Sequence, residues 1–174
     1  FAPLRGFMNS ANYNAVLVDM RLTNGALWPM PITLDVTEKF AKELSVGDKI
    51  TLRDKEGFVI AMMLLDDIYY PNFDNEANLV YSTTDDTHPA VHYLQNMSNP
   101  IYLGGELERV ESPHHYDYKD LRHSPEELKA IFKEKGWDKI VAFQTRNPLH
   151  RAHVEMTMKS MQQLNANLLI HPVV

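Results

Sequence analysis

The pattern of apolar and polar positions divides the chain into two regions of different character. Residues 1–115 are rich in short apolar runs separated by turn residues, which predicts a β-rich region. Strands are predicted at 15–20, 27–36, 49–53, 58–65, 101–103 and 107–110, and short helices at 37–44 and 89–97. Residues 71–88 are rich in Asn, Asp and Thr, which favours a loop. Short strands joined by tight turns, such as Asn24-Gly25 and Gly104-Gly105, are typical of a small barrel or sandwich.

Residues 116–174 show longer, alternating helix and strand patterns. Ser124 and Glu127 have the spacing of a capping box at a helix start, and Gly136 is placed to end that helix. The elements predicted next are a strand at 139–143, a helix ending near Leu164 and a strand at 168–174. A strand, a helix and a strand in this order predict a βαβ unit with a parallel sheet. We therefore place a domain boundary near residue 115.

Composition places the chain among ordinary globular proteins, with 44% apolar and 23% charged residues in a length sufficient for two small domains. No run of eighteen apolar residues and no basic-then-apolar start occurs, so neither a membrane association nor a signal peptide is predicted. The lack of cysteine excludes disulfides and thiolate chemistry and fits a cytoplasmic protein. Because the chain starts without Met and stops inside a strand-like run, we expect a fragment lacking both ends.

The net charge of −6 is distributed unevenly. Residues 1–115 contain 8 Lys and Arg against 16 Asp and Glu, a net charge of −8. Residues 116–174 contain 9 against 7, a net charge of +2. Binding to a phosphate backbone requires a dense positive surface, so no nucleic-acid partner is predicted. The small positive excess of the second region tolerates an anionic ligand.

The decapeptide at 144–153, Gln-Thr-Arg-Asn-Pro-Leu-His-Arg-Ala-His, joins the first strand of the βαβ unit to its helix. Asn147 and Pro148 are predicted to be the cap and the first residue of that helix. His150 is then the third helical residue, and His153 lies one turn further on the same face. Unsatisfied N–H groups and the helix dipole make such an N-terminus a site for anions.

Two side chains before the predicted helix suit an oxyanion. If Gln144 and Arg146 point to the same side of the strand end, they can hold one tetrahedral anion. Arginine suits this task because its planar guanidinium makes bidentate, charge-assisted hydrogen bonds. The sequence therefore predicts an anion site at the junction of strand and helix.

Other interpretations of the polar residues are weaker. The two histidines of the decapeptide lack the intervening Glu of the usual zinc motif, so no metal site is predicted. A purely structural role for both is disfavoured because an Arg and a helix N-terminus lie within one turn. The acidic pairs Asp66-Asp67 and Asp85-Asp86 are assigned to solvated turns. Structural or linker roles are assigned to His88, His92, His114 and His115.

The decapeptide resembles the Gln-x-Arg-Asn-Pro-x-His-x-x-His signature of the ATP sulfurylases, or sulfate adenylyltransferases. Further similarity lies at residues 6–8, 31–36, 88–89, 104–105, 115–118 and 170–174. Thr145, Arg151 and Ala152 make the motif similar to the microbial and fungal form. A ten-residue match in the expected strand–loop–helix context is far more specific than a bare His-x-x-His.

The resemblance implies a mixed α/β chain: a PUA-like, β-rich N-terminal domain at 1–115 and the start of a Rossmann-like nucleotidyltransferase domain at 116–174. The implied reaction is in-line attack of sulfate on the α-phosphorus of ATP, giving adenosine 5′-phosphosulfate and pyrophosphate in the first step of sulfate assimilation. ATP and sulfate are the implied partners, with Mg²⁺ accompanying ATP. The full-length enzyme is expected to form a homo-oligomer.

By motif position, Gln144 and Arg146 would bind sulfate. The residues that would contact ATP are Gln144, Thr145, Arg146, Asn147, His150 and His153. The resemblance assigns catalysis to Thr145, Arg146 and Asn147, and stabilisation of the transition state to His150 and His153.

The family carries further ATP-binding segments, including a Gly-Arg-Asp-His loop, that do not occur in these 174 residues. We therefore expect the chain alone to bind ATP weakly and turn over negligibly. Two alternatives remain open. One is a nucleotidyltransferase acting on a phosphate-bearing metabolite through a similar His-x-x-His helix, which the Gln-Thr-Arg-Asn-Pro prefix disfavours. The other is a non-catalytic PUA-like module, either RNA-binding or regulatory; the charge of residues 1–115 disfavours RNA binding.

Overall fold

The structure is a computed structural model that describes residues 3–110 and 116–173. The chain divides into two compact units, Phe1–Pro113 and His114–Val174. The predicted boundary near residue 115, together with His114 and His115, lies outside the described residues. No helix in the described ranges is both long and apolar enough to span a bilayer.

The first unit is built on one antiparallel sheet. Its elements are β1 (Gly6–Phe7), α1 (Ser10–Asp19), β2 (Asp35–Val36), α2 (Glu38–Ala41), β3 (Lys49–Arg53), β4 (Val59–Tyr69), α3 (Phe73–Tyr81), α4 (Pro89–Asn96) and β5 (Ile101–Val110). The strand order is β1-β5-β4-β3, and β2 also pairs with β5. The predicted barrel or sandwich is therefore a five-stranded sheet in the described residues, accompanied by helices. The predicted strands β3 and β4 and the helices α2 and α4 are confirmed.

The predicted strand at 15–20 is wrong, because these residues belong to α1. Asn9 begins the helix by accepting a hydrogen bond from the N–H of Asn12 at 3.1 Å. The helix buries Tyr13, Val16 and Leu17 at a spacing of three and one, which is a helical period and not a strand period. Burial of this face outweighs the β-propensity of the valines.

Two further predictions in this unit are wrong. Residues 27–36 contribute only the two-residue strand β2, because Pro29 and Pro31 cannot donate to a sheet. The predicted loop at 71–88 contains α3, which Asn72 caps by accepting a hydrogen bond from the N–H of Asn75 at 2.9 Å. The Asn24-Gly25 turn is present, with Gly25 at φ 84°, but it closes only an isolated bridge.

The predicted Gly104-Gly105 turn is also wrong, because both glycines lie inside the continuous strand β5. A Cβ on Gly104 would lie 2.5 Å from the Cα of Asn9, at the start of α1. A Cβ on Gly105 would lie 2.3 Å from the carbonyl oxygen of Leu64 on β4. The two glycines thus allow close approach of the backbone on both sides of β5.

The fully buried apolar side chains of the described residues all belong to the first unit. One cluster lies around α1 and consists of Leu4, Met8, Tyr13, Val16, Leu17, Leu22 and Tyr102. A second lies around the sheet and consists of Ala41, Ile50, Met63, Leu65, Ile101 and Leu103. A small third cluster joins α3 and α4. These clusters supply the burial that stabilises the first unit.

The carboxyl group of Glu76 is buried in the first unit. Glu76 on α3 is 6% exposed, and its Oε2 accepts hydrogen bonds from the hydroxyls of Tyr13 at 2.7 Å and Tyr102 at 3.2 Å. Burial raises the pKa of the Glu76 carboxyl above its ordinary value, although the two tyrosine hydrogen bonds act in the opposite direction. The folded state therefore favours the protonated carboxyl more than the unfolded state does.

This raised pKa predicts a pH-dependent stability. The stabilisation from protonating Glu76 is fully present below the ordinary pKa of a glutamate and is lost as the pH rises through the raised pKa. Glu76→Gln keeps an oxygen acceptor but carries no charge. We therefore expect the free energy of unfolding of this variant, relative to that of the unsubstituted chain, to be higher at about pH 7 than at about pH 4. Urea unfolding at both pH values measures this difference. The exposed Glu56→Gln serves as control, and an unchanged difference for Glu76→Gln would contradict the assignment.

The second unit is a βαβ arrangement, as predicted. Its elements are a short 3-10 helix (Lys119–Leu121), α5 (Pro125–Glu134), β6 (Ile140–Thr145), α6 (Arg151–Leu164) and β7 (Asn167–Pro172). Strands β6 and β7 are parallel, from the pair Ile140 and Asn167 to the pair Thr145 and Pro172. Among the described residues of this unit only Thr157 is buried, so its apolar side chains are half-buried or exposed.

The start of α5 is confirmed in detail. The Ser124 N–H donates to Glu127 Oε2 at 2.7 Å, and the Glu127 N–H donates to Ser124 Oγ at 3.3 Å. These bonds lower the pKa of the Glu127 carboxyl. Gly136 takes the left-handed conformation after the helix, at φ 65°. Trp137 then stacks on Phe132 with ring centroids 6.0 Å apart. Local sequence signals are sufficient to place this helix.

Candidate functional site

The loop between β6 and α6 departs from the sequence prediction. The helix begins at Arg151, and His150 is its N-cap, with extended backbone at φ −101° and ψ 170°. The predictions that Asn147 caps the helix and that His150 is its third residue are therefore wrong. The physical reason is Thr145, whose Oγ1 accepts from the Asn147 N–H at 3.1 Å and donates to the Asn147 carbonyl at 3.0 Å. This turn holds the backbone of Asn147 outside the helix.

The late start leaves the N-terminus of α6 without a side-chain cap. His150 makes no capping hydrogen bond, and the first turn of the helix contains no acidic residue. The N–H groups of His153 and Val154 turn back to the His150 carbonyl, at 2.9 and 3.2 Å. No bond within the described ranges satisfies the N–H groups of Arg151 and Ala152. Unlike the capped start of α5, this helix end can accept an anion.

The two histidines of the decapeptide lie together, as predicted. The rings of His150 and His153 stack with centroids 3.8 Å apart and an interplanar angle of 29°. The His153 ring also contacts Phe143 of β6, with centroids 5.5 Å apart. The Nδ1 atom of His153 is buried and has no hydrogen-bond partner in the described part of the chain. Its Nε2 atom is therefore the nitrogen that can meet a ligand.

The predicted site residues do not all lie on one face of the sheet. Because Phe143 contacts α6 through His153, strand alternation places Gln144 on the opposite face of β6. Thr145 returns to the α6 side and is half-buried, whereas Gln144 is exposed. Arg146 follows in the loop, is exposed, and makes no hydrogen bond or ion pair within the ranges that the structure describes. The binding of one anion by Gln144 and Arg146 together remains a prediction.

Strand register brings one further polar residue to the site. His171 of β7 is the partner of Gln144 in the parallel ladder. Both side chains are exposed and lie at the carboxyl end of the sheet, where ligands bind in open α/β folds. The sequence prediction missed His171, since only the register of two strands far apart in sequence could have placed it beside Gln144.

The electrostatic character of the site is that of an anion site. No Asp or Glu occurs between Asp138 and Glu155, while Arg146 lies in the loop after β6 and Arg151 is the first residue of α6. In the residues that the structure covers, no group of three or more His, Cys, Asp or Glu could hold a metal ion. The segment therefore offers N–H donors and positive charge, and it contains no carboxylate of its own.

Two family models match the chain almost end to end. A PUA-like domain model matches residues 1–112, and an ATP-sulfurylase model matches residues 119–174. The sulfate adenylyltransferase of Eremothecium gossypii is 48% identical over the whole chain. The chain belongs to the ATP sulfurylase family. It combines the PUA-like domain of this family with the beginning of its α/β domain, which confirms the predicted fold class.

Other ATP sulfurylase relatives are similar over the same residues. The sulfate adenylyltransferase of Saccharomyces cerevisiae is 46% identical over the whole chain, and that of Neurospora crassa is 48% identical. The solved structure of a hexameric APS kinase from Thiobacillus denitrificans is 33% identical, with a TM-score of 0.72 over 99% of this chain and 30% of its own. The chain spans about a third of these relatives, covering 35%, 34% and 31% of the three sulfate adenylyltransferases.

Proposed function

We propose that this chain supplies part of the active site of a sulfate adenylyltransferase. The reaction joins a sulfate oxygen to the α-phosphorus of ATP and releases pyrophosphate, giving adenosine 5′-phosphosulfate. The observation that carries the proposal is the uncapped N-terminus of α6, with two stacked histidines beside it and no carboxylate from residues 139 to 154. Such an end stabilises negative charge on phosphate oxygens.

Sulfate places particular demands on a catalyst. It is already ionised at neutral pH, so it needs no general base, and residues 139–154 contain no carboxylate to act as one. The rate must come from alignment of sulfate with the α-phosphorus and from neutralisation of charge on the leaving pyrophosphate. Each preorganised donor aimed at developing charge contributes about 10²–10³ in rate.

The two faces of the β6 end suit an in-line displacement. In this geometry the nucleophile enters on one side of phosphorus and the leaving group departs on the other. We assign Gln144, on the face away from α6, to sulfate, and His150 and His153, on the α6 side, to the phosphate oxygens. Arg146 follows the strand end between them and would contact both anions. Its exposed guanidinium is not engaged by a carboxylate in the described residues.

The remaining predicted residues receive supporting roles. The Thr145 hydroxyl fixes the Asn147 backbone, and this bond sets the path of the loop that carries Arg146. The Asn147 side chain is exposed and would contact ATP. Mg²⁺ would enter as part of the substrate, bound to the phosphate oxygens of ATP, because this segment offers it no carboxylate.

Assembly and location follow the same proposal. A homo-oligomer is supported by the similar protein of Thiobacillus denitrificans, which is described as hexameric. A cytoplasmic location is in keeping with a chain of 174 residues that contains no cysteine. We also propose two domains, residues 1–115 and 116–174.

The experiment requires the parts of the relatives that this chain does not span. We define a hybrid enzyme in which these 174 residues replace the matching residues of the Saccharomyces cerevisiae sulfate adenylyltransferase. The hybrid is expected to release pyrophosphate from ATP when sulfate is present, whereas the 174 residues alone should turn over negligibly. A coupled pyrophosphate assay measures both.

The acceptor substrate that the hybrid enzyme uses distinguishes this function from the two alternatives. A folded hybrid that releases pyrophosphate with phosphate-bearing metabolites and not with sulfate would favour a different nucleotidyltransferase. A folded hybrid without any transfer, together with salt-dependent RNA binding by the 174 residues, would favour a PUA-like binding module. Either result would overturn the proposal.

A further inference from the structure

Strand pairing joins His171 to a proposed sulfate ligand. In the parallel ladder of β6 and β7, His171 is the partner of Gln144, and the next pair is Thr145 with Pro172. Partner residues in a parallel pair project to the same face of the sheet. His171 and Gln144 therefore lie side by side on the face away from α6.

The surroundings leave both side chains accessible. Gln144 and His171 are exposed, and so is Ala142, which precedes Gln144 on the same face and is too small to cover either. Neither Gln144 nor His171 makes a side-chain hydrogen bond with another described residue. The backbone beyond them is fixed, because the Val173 N–H donates to the Thr145 carbonyl at 2.8 Å. The pair is thus held in place by backbone while its polar ends are free.

We propose that His171 is a sulfate-binding residue that donates a ring N–H to the same oxyanion as Gln144. This inference rests on the function proposed above and adds a residue to its sulfate subsite. An imidazole donates a hydrogen bond from one ring nitrogen when neutral and from both when protonated. Hydrogen bonds to a charged oxyanion are the stronger class, so a second donor is a substantial part of sulfate affinity.

We assign His171 to sulfate and not to the ATP phosphates because of the face of the sheet on which it lies. His150 and His153 belong to the α6 side, since His153 contacts Phe143 there. His171 belongs to the other side, with Gln144. In an in-line displacement the nucleophile and the leaving group occupy opposite sides of phosphorus. Loss of His171 should therefore affect the nucleophile subsite selectively.

The test compares KM values in the hybrid enzyme. His171→Ala is expected to raise the KM for sulfate about tenfold, the effect of losing one hydrogen bond to a charged group, and to leave the KM for ATP unchanged. His171→Asn retains an N–H donor and should recover much of the sulfate affinity. The matched control is His123→Ala, an exposed histidine before α5, which should change neither KM.

A second measurement uses the 174-residue chain itself. The NMR signals of the His171 ring should shift in a saturable way with sodium sulfate, but not with sodium chloride at equal ionic strength. Gln144→Ala should weaken that response. An equal rise in both KM values, an unchanged KM for sulfate, or ring signals that do not respond to sulfate would overturn the proposal. Adenylyl transfer by the unsubstituted hybrid tests the proposed function separately.

Discussion

Replacing Arg146 with Ala is expected to lower the rate of adenylyl transfer to sulfate by about a thousandfold, without loss of folded protein. Arg146 lies in the loop after β6, and its side chain is exposed and free of ion pairs within the described ranges. Its removal therefore breaks no contact that stabilises the fold. It removes the bidentate donor that we assign to the position between sulfate and the α-phosphorus.

The rate of adenylyl transfer is measured for the hybrid enzyme with and without Arg146→Ala, at saturating ATP and sulfate. Arg146→Lys keeps the positive charge and loses the planar fork, so an intermediate rate is expected. Arg53→Ala removes an exposed arginine from the β3–β4 hairpin, together with its hydrogen bond to the Gly57 carbonyl, and is the control for loss of an arginine outside the site. An Arg146→Ala rate within a few fold of the unsubstituted hybrid would exclude Arg146 from the reaction.

Replacing Gly104 with Ala is expected to destabilise the first unit by about 2–3 kcal/mol, a typical cost of inserting a group into a packed region. The new Cβ would lie 2.5 Å from the Cα of Asn9 and 2.9 Å from its backbone nitrogen. Those atoms cannot move without shifting the residue that caps α1. For a unit of this size the melting temperature should fall by roughly 10–20 °C.

Gly57→Ala separates this steric effect from the loss of glycine as such. Gly57 has φ 93°, and nothing lies within 4 Å of a Cβ placed on it, so only backbone strain is introduced. The expected cost is about 1–2 kcal/mol. Thermal unfolding followed by circular dichroism compares the two variants. If Gly104→Ala melts at or above the temperature of Gly57→Ala, the close approach of β5 to α1 does not constrain this position.

The sequence predicts elements whose signals are local. The capping box of Ser124 and Glu127 and the left-handed Gly136 place both ends of α5 within a few residues. The apolar strands around a helical segment predict the βαβ unit, and the parallel pairing of β6 and β7 confirms it. In each case the deciding interaction joins neighbours in sequence or repeats along one element.

Two of the incorrect predictions, the strand at 15–20 and the Gly104-Gly105 turn, depend on contacts between distant residues. Residues 15–20 have strand-like composition, but the burial of Val16 and Leu17 against the first core cluster decides for a helix. The Gly104-Gly105 pair resembles a turn until α1 and β4 are placed on either side of β5. Such packing cannot be derived from a window of the sequence, because the partners lie tens of residues away.

The sequence proposes the residues of the candidate site and predicts only part of their geometry. The decapeptide identifies Gln144, Arg146, His150 and His153, and the two histidines do stack. The helix nevertheless begins at Arg151, because the Thr145 hydroxyl competes for the backbone of Asn147. His171 was not predicted, because its position depends on the register between β6 and β7. Its partner Gln144 lies 27 residues earlier in the chain. Register is a property of the assembled sheet.

We propose that sulfate attacks the α-phosphorus directly, with donors from this chain and without a covalent intermediate. The measurement that tests it most directly is rapid mixing of the hybrid enzyme with ATP in the absence and presence of sulfate, with pyrophosphate recorded from the first turnover. No pyrophosphate is expected without sulfate, and with sulfate its amount should equal that of adenosine 5′-phosphosulfate. A burst of one pyrophosphate per active site without sulfate would reveal an adenylylated enzyme and would rule out direct attack by sulfate.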